Sequence, residues 1–263
     1  VTHPAYRVLR EVSPAASVLL QDNPSAMTLE GTNTWVLRAP GAPGCVVVDP
    51  GHAHDEHLTE LDRLAGRVPV ELIVLTHHHP DHAEAAPSLA DRVGAPVRAF
   101  DPDLCRGGDP LTHDDVVRAA GLDLRVLHTP GHTADSVTLR FDHADRAHAL
   151  TGDTVLGRGT TILSDLGDYL ESLRALRTLP PGTLGLPGHG PELPDLTATV
   201  REYSEHREQR LDQVRQALRR LGPHASAREV VRDVYADVDP ALWGAAEASV
   251  RAQLDYLHRA TGR

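Results

Sequence analysis

The apolar run Val70-Glu71-Leu72-Ile73-Val74-Leu75 passes straight into Thr76-His77-His78-His79-Pro80-Asp81-His82, and no other feature constrains this chain as much. A nearly continuous apolar run of this length suits a strand covered on both faces, as in a sheet that carries helices. Side chains at the carboxyl end of such a strand project into the crevice where α/β proteins bind ligands. Two histidines spaced i, i+2, His77 and His79, can point the same way from extended chain. Asp81 and His82 add a carboxylate and another imidazole within one turn. These are borderline-soft nitrogen and oxygen donors, suited to zinc and similar ions.

The pattern recurs along the chain. Asp49 lies in Val46-Val47-Val48-Asp49-Pro50-Gly51, His132 in His128-Thr129-Pro130-Gly131-His132-Thr133, Asp153 in Leu150-Thr151-Gly152-Asp153-Thr154, and His189 in Leu186-Pro187-Gly188-His189-Gly190. Each is a candidate ligand just past an apolar run and flanked by glycine, which permits tight turns and close backbone approach. The chain has 17 histidines, clustered internally at 52–57 and 77–82 and not in a terminal tag. His3, His113, His143, His148, His224 and His258 read as ordinary surface or hydrogen-bonded residues. His52, His54 and His57 read as surface residues near the site.

Short strand-like runs fill the first fifty residues: Val18-Leu20, Thr34-Leu37 and Cys45-Val48. A helical pattern from Asp55 shows Leu58, Leu61 and Leu64 on one face. Further helices are predicted over Ala83–Val93, where Pro87 limits regularity or marks a break, and over Asp168–Leu179. Strands are predicted at Val97-Ala99, Leu124-Leu127, Ser136-Phe141, Ala147-Leu150 and Leu184-Leu186. After Pro194 the texture becomes helical and charge-rich. Thr197–Leu221 reads as one long helix. Ser226 with Glu229 forms a capping box for a helix through Tyr235, and Pro240 opens a last helix to about Arg259. The boundary is placed at 195, giving a mixed strand-and-helix domain over 1–195 and a helical C-terminal domain over 196–263.

The formal net charge of −11 repels polyanions and weighs against a broad nucleic-acid footprint, which needs clustered cations. No stretch approaches the roughly 18 to 20 apolar residues of a membrane span. The start Val1-Thr2-His3-Pro4 lacks the features of a signal peptide, and Cys45 and Cys105 lie in no CxxC pattern; a reduced, cytoplasmic chain is expected.

Taken in order, HHHPDH, TPGHT, TGDT and PGHG resemble the metallo-β-lactamase superfamily through nearly all of residues 10–195. The resemblance implies an α+β fold, an αββα sandwich. It also implies two divalent cations, zinc by default, with iron or manganese accepting the same ligands. His77, His79 and His132 would hold one ion, and Asp81, His82 and His189 the other. Asp153 would bridge both, and a hydroxide shared by the ions would attack the substrate. Asp49 would orient ligands from behind, and His78 would be a bystander. Asp81 is also the candidate catalytic residue, accepting a hydrogen bond from the nucleophile. A carboxylate at 153, where the best-known β-lactamase subclass carries cysteine, argues against lactam cleavage. Gly188-His189-Gly190-Pro191-Glu192 departs from the pattern of the glyoxalase II branch.

Asn23–Thr34, Asp168–Leu173 and Tyr203–Arg210 are similar to segments of the β-lactamase-like protein 2 subfamily, and the tail at 227–257 looks like its small winged-helix-type domain. That subfamily includes RNA-cleaving and thioesterase-like members. Candidate substrate-binding residues are Asn33 and one helix face formed by Tyr203, His206, Arg207 and Arg210, at i, i+3, i+4 and i+7; a solvated, salt-bridged face is the competing reading. The favoured expectation is a binuclear hydrolase of a small ester or thioester. The alternatives are a metal-dependent endoribonuclease on single-stranded RNA, or, in another class, a C-terminal module that binds protein or nucleic acid. The oligomeric state is left open.

Overall fold

The strand-forming runs pair into two sheets in the computed structural model, which describes residues 3–234 and 243–261. The first sheet has the order β1 (Leu9–Ser13), β2 (Ala16–Leu20), β3 (Asn33–Leu37), β4 (Cys45–Val48), β5 (Val70–Val74), β6 (Val97–Arg98). Pairing is antiparallel as far as β4 and parallel from β4 to β6. Parallel neighbours need crossovers. These are supplied by α1 (Asp55–Ala65) and by the pair α2 (Pro80–Ala83) and α3 (Ala86–Val93). The second sheet runs β11 (Leu184–Pro187), β10 (Arg146–Gly152), β9 (Val137–His143), β8 (Leu122–His128), β7 (Val116–Ala119). Only β10 and β11 in it are parallel, and α4 (Leu166–Leu176) lies in their crossover.

Side-chain alternation decides the layers. Trp35, Leu37, Val46, Val48, Leu72 and Val74 of the first sheet meet Leu124, Val126, Leu139, Phe141 and Leu186 of the second. The intervening residues Val36, Val47 and Ile73 face outward onto Leu58, Leu61 and Leu89 of α1 and α3. Both faces of β4 are therefore buried, as are those of β5 apart from exposed Glu71 near its start, which is why those runs are almost continuously apolar. On the other side, α4 and the first half of α5 (Leu196–Leu221) cover the second sheet through Tyr169, Leu173, Leu196, Val200 and Tyr203. The layers are helix, sheet, sheet, helix, as expected.

Asp195, at the expected boundary, caps α5 by accepting from Thr197 and Ala198 N–H groups. The second half of α5 contributes Leu211, Val214 and Ala217 to a separate cluster with Val230 and Val231 of α6 (Ala227–Val234) and Val250, Leu254 and Leu257 of α7 (Trp243–Thr261). One helix thus belongs to both cores. Ser226 and Glu229 exchange the hydrogen bonds of a capping box at the start of α6. Tyr235 and Pro240 lie outside the described residues.

Several boundaries differ from the sequence expectation. The predicted Ala83–Val93 helix begins only at Ala86, after the separate short α2 that ends at Ala83, and Pro87 sits in the first turn of α3, where a missing N–H is tolerated. The Asp168–Leu179 helix starts two residues earlier, at Leu166, because Asp165 accepts from the Asp168 N–H and caps it, and it ends three residues earlier, at Leu176. Strands β1 and β7 were unforeseen. Both are sheet edges, and β1 is largely exposed, so neither shows an apolar alternation. Cys45 and Cys105 are free. Among the described residues, no helix is long and apolar enough to cross a membrane.

Candidate metal centre

The carboxyl ends of β4, β5, β8, β10 and β11 open onto one crevice, and each delivers a candidate ligand. His77 and His79 leave β5 in extended chain, and Pro80 starts α2 so that Asp81 and His82 follow in its first turns. His132 enters from the β8–β9 loop, Asp153 from just past β10, and His189 from just past β11. Donor atoms of three overlapping groups lie within 4.8 Å of one another: His77, His79 and His132; His77, His82 and Asp153; Asp81, His82 and His189. Asp153 stands between the outer two, with Oδ2 at 3.7 Å from His132 Nε2 and 3.5 Å from His189 Nε2.

The hydrogen bonds behind this cluster explain its orientation. Buried Asp49, in left-handed backbone at φ 53°, accepts from the Thr76 N–H at 2.8 Å and the Thr76 hydroxyl at 2.7 Å. Its Oδ2 also lies 2.9 Å from His82 Nδ1. With its proton given to Asp49, the Thr76 hydroxyl accepts from His77 Nδ1 at 3.0 Å. His189 Nδ1 donates to Gly31 O at 3.1 Å, and His132 Nδ1 donates to Ile162 O at 2.8 Å. In all four rings the Nδ1 side is anchored and the Nε2 lone pair is left for the centre. Gly31 is needed here, since its φ is 139° and a Cβ would lie 2.0 Å from Gln21 O.

This donor set fits cations. His82 Nε2 and His189 Nε2 face each other at 3.2 Å, as do His79 Nδ1 and His132 Nε2 at 3.0 Å. Asp153 Oδ1 is buried with no hydrogen-bond partner among the described residues. Without metal, protons take the place of cations. Burial disfavours the His189 cation, but hydrogen bonds and charge from Asp153 and Asp81 outweigh it and push its pKa up to about 10. Burial would raise the carboxyls, yet the facing imidazoles hold Asp81 down at about 2 and Asp153 well below the usual range. His77 is held neutral by burial and by His82 beside it.

The remaining candidates fall around this centre. Asn33 is buried, and its amide donates to Pro187 O at 3.0 Å and Gly190 O at 2.8 Å, clamping the loop that carries His189. Tyr203 and Arg207 are buried against the segment 156–161: the Tyr203 hydroxyl donates to Gly159 O at 2.7 Å, and Arg207 Nη2 donates to Thr161 O at 2.7 Å. His206 and Arg210 lie further out on α5, with Arg210 Nε 3.4 Å from His206 Nε2. His78 turns away from the cluster to Asp135, Nδ1 to Oδ1 at 2.7 Å. His57 is not the surface residue expected: it is buried on the inner face of α1, with Nε2 2.9 Å from the Thr34 hydroxyl. Sequence reasoning missed Thr76 and Thr161, whose hydroxyls touch the rings of His77 and His132, two candidate ligands. A threonine immediately before the first ligand was the available signal for Thr76; nothing marked Thr161.

Residues 27–189 match the family described as the metallo-beta-lactamase superfamily. The chain belongs to the metallo-β-lactamase superfamily. It is accordingly a metal-dependent hydrolase with the superfamily's two-sheet sandwich. Residues 226–260 match the beta-lactamase associated winged helix domain. A beta-lactamase-like protein 2 homolog of Drosophila melanogaster is 32% identical over 92% of this chain and 87% of that one. The lactamase-like protein aptB of Emericella nidulans is 32% identical over 81% of this chain and 68% of that one. The crystal structure of a beta-lactamase domain protein from Burkholderia ambifaria superposes with a TM-score of 0.78 at 26% identity, covering 99% of this chain and 90% of that one.

Proposed function

We propose that this member of the metallo-β-lactamase superfamily is a binuclear hydrolase of a small ester or thioester. His77, His79 and His132 would hold one cation, Asp81, His82 and His189 the other, and Asp153 would be shared. The observation that carries this reading is the convergence of these donors around a buried Asp153 oxygen that has no hydrogen-bond partner among the described residues. When bound, the two cations acidify water and polarise the scissile carbonyl.

The chain's own residues do the rest. Asp49, Thr76, Gly31 and Ile162 fix the tautomer and aim of the ligand rings. Asp81, with a side chain 20% exposed beside buried neighbours, orients the attacking water by accepting one of its hydrogens. Water oxygen adds to the carbonyl carbon, the bond to the alkoxy oxygen or thiol sulfur breaks, and the water proton passes to that leaving group. A cavity of about 280 Å3 beside the His189 loop supports a small acyl substrate, because its lining includes Val8, Val18 and Leu20. Its two arginines, Arg10 and Arg158, are paired with Glu192 and Glu30, so no unbroken positive groove runs there for a nucleic-acid backbone.

The test is to challenge zinc-loaded protein in parallel with acyl-thioesters, aryl esters and single-stranded RNA, with His77→Ala as the contamination control. Thioester or ester cleavage lost in His77→Ala is expected. Cleavage of RNA alone, also lost in His77→Ala, would overturn the substrate assignment. Full turnover in an Asp81→Asn protein that keeps both metals would remove the role given to Asp81.

A further inference from the structure

We propose that Tyr203 and Arg207, from the helix that links the two cores, are positioning residues for the ligand His132. The proposal rests on the reading of His132 as a metal ligand. His132 Nδ1 is held by Ile162 O at 2.8 Å and by the Thr161 hydroxyl at 3.1 Å. Both belong to the connection after β10, where Leu156-Gly157-Arg158-Gly159-Thr160-Thr161-Ile162 forms neither helix nor strand. Two glycines in such a segment leave its backbone soft. A carbonyl on a soft segment cannot by itself aim an imidazole.

Gly157 N–H donates to His189 O at 2.9 Å, and from Gly159 onward the hydrogen bonds that fix this backbone come from α5. The Tyr203 hydroxyl receives the Leu156 N–H at 3.3 Å and donates to Gly159 O at 2.7 Å. One turn on, Arg207 donates to Thr161 O at 2.7 Å and lies over the Tyr169 ring, 5.3 Å from its centroid. The path is continuous: α5, then Gly159 and Thr161, then Ile162 O and the Thr161 hydroxyl, then His132 Nδ1, and at the far side of the ring Nε2, which faces His79.

A residue needed here only for packing would be apolar. Burying a guanidinium is costly unless it is paired or well hydrogen-bonded. Arg207 is 7% exposed and spends a donor on a main-chain carbonyl one residue from the carbonyl that holds His132. Tyr203 is also 7% exposed and uses its hydroxyl twice on the same segment. The inner half of the α5 face therefore acts from behind the loop, while His206 and Arg210 lie outside it. Because the second half of α5 packs with α6 and α7, the C-terminal helices bear on the metal centre.

Zinc affinity measured by chelator competition tests this without any substrate. Wild type, Tyr203→Phe, Arg207→Lys, His132→Ala and Val200→Ala would be titrated, and the melting temperature of each metal-free protein recorded. Val200 is buried on the same helix and in the same cluster as Tyr203, and serves as a packing control. Tyr203→Phe and Arg207→Lys are expected to weaken one of the two zinc sites by about 10-fold or more while sparing the other. Val200→Ala is expected to lower the melting temperature and leave both affinities unchanged. Wild-type affinity at both sites in Arg207→Lys and Tyr203→Phe would overturn the proposal, as would equal weakening in Val200→Ala. If His132→Ala keeps two wild-type zinc sites, the reading of His132 as a ligand falls, and the proposal with it.

Discussion

Gly188→Ala tests how tightly the metal centre is drawn. A Cβ on this residue would lie 2.6 Å from Asp153 Oδ1, 2.7 Å from His82 Cε1 and 3.2 Å from the Gly152 carbonyl carbon. Opening the Asp153 contact from 2.6 Å to the ordinary 3.4 Å needs a retreat of about 0.8 Å, some four times the roughly 0.2 Å within which metal–ligand distances hold. His82 has no exposed surface into which to move, and Asp153 is nearly as enclosed. The backbone around Gly188 cannot yield easily either. Asn33 holds Pro187 O and Gly190 O, and Trp35 Nε1 donates to Pro187 O at 3.0 Å. Overpacking of this kind costs about 1–3 kcal/mol in the metal-free protein. Zinc affinity should fall by about 10-fold or more in the variant, since ligand geometry is disturbed directly. Chelator competition and urea unfolding of the metal-free protein measure the two effects. A Gly188→Ala protein that binds two zinc ions with wild-type affinity would refute the geometry described here.

Zinc uptake should release protons. With its pKa at about 10 in the metal-free protein, His189 is protonated at pH 7 and must lose that proton to become a ligand. Calorimetry in buffers of different ionisation enthalpy should find at least about one proton released per chain, and affinity should fall as pH falls; no release would contradict the assignment of His189. Stability should also depend on His57. Burial lowers its pKa to about 4 from 6.5, so between these values the unfolded chain binds the proton and the folded chain does not. Stability is then fully present above pH 6.5 and declines as pH falls toward 4, by at most about 3 kcal/mol. Urea unfolding of metal-free protein across this window should show a shallower pH dependence for His57→Gln; an unchanged slope would remove His57 as the cause.

The ligand series was legible because each member follows an apolar run, and runs of that kind become strands whose carboxyl ends converge. That β4 and β5 are covered on both faces was legible for a related reason: Val46–Val48 is apolar throughout and Val70–Leu75 is apolar except at exposed Glu71, whereas the sandwich itself was implied by the family resemblance. Edge strands carry no such demand, so Leu9–Ser13 and Val116–Ala119 went unread. His57 did carry a signal. It precedes Leu58 and lies four residues before Leu61, hence on the inner face of its helix. The face formed by Tyr203 and Arg207 was readable as a face, but its neighbour was not, because that depends on a connection more than forty residues away in sequence. Thr161 illustrates the same limit, since a hydroxyl that touches a ligand ring has no spacing rule to announce it.

The central claim is a two-cation centre with Asp153 shared between the ions. Equilibrium dialysis against zinc, followed by element analysis of wild type and Asp153→Ala, tests it most directly. Two zinc ions per chain in wild type are expected, with both sites weakened when Asp153 is lost. A wild-type protein that binds fewer than two, or an Asp153→Ala protein that keeps both at full affinity, would contradict the account.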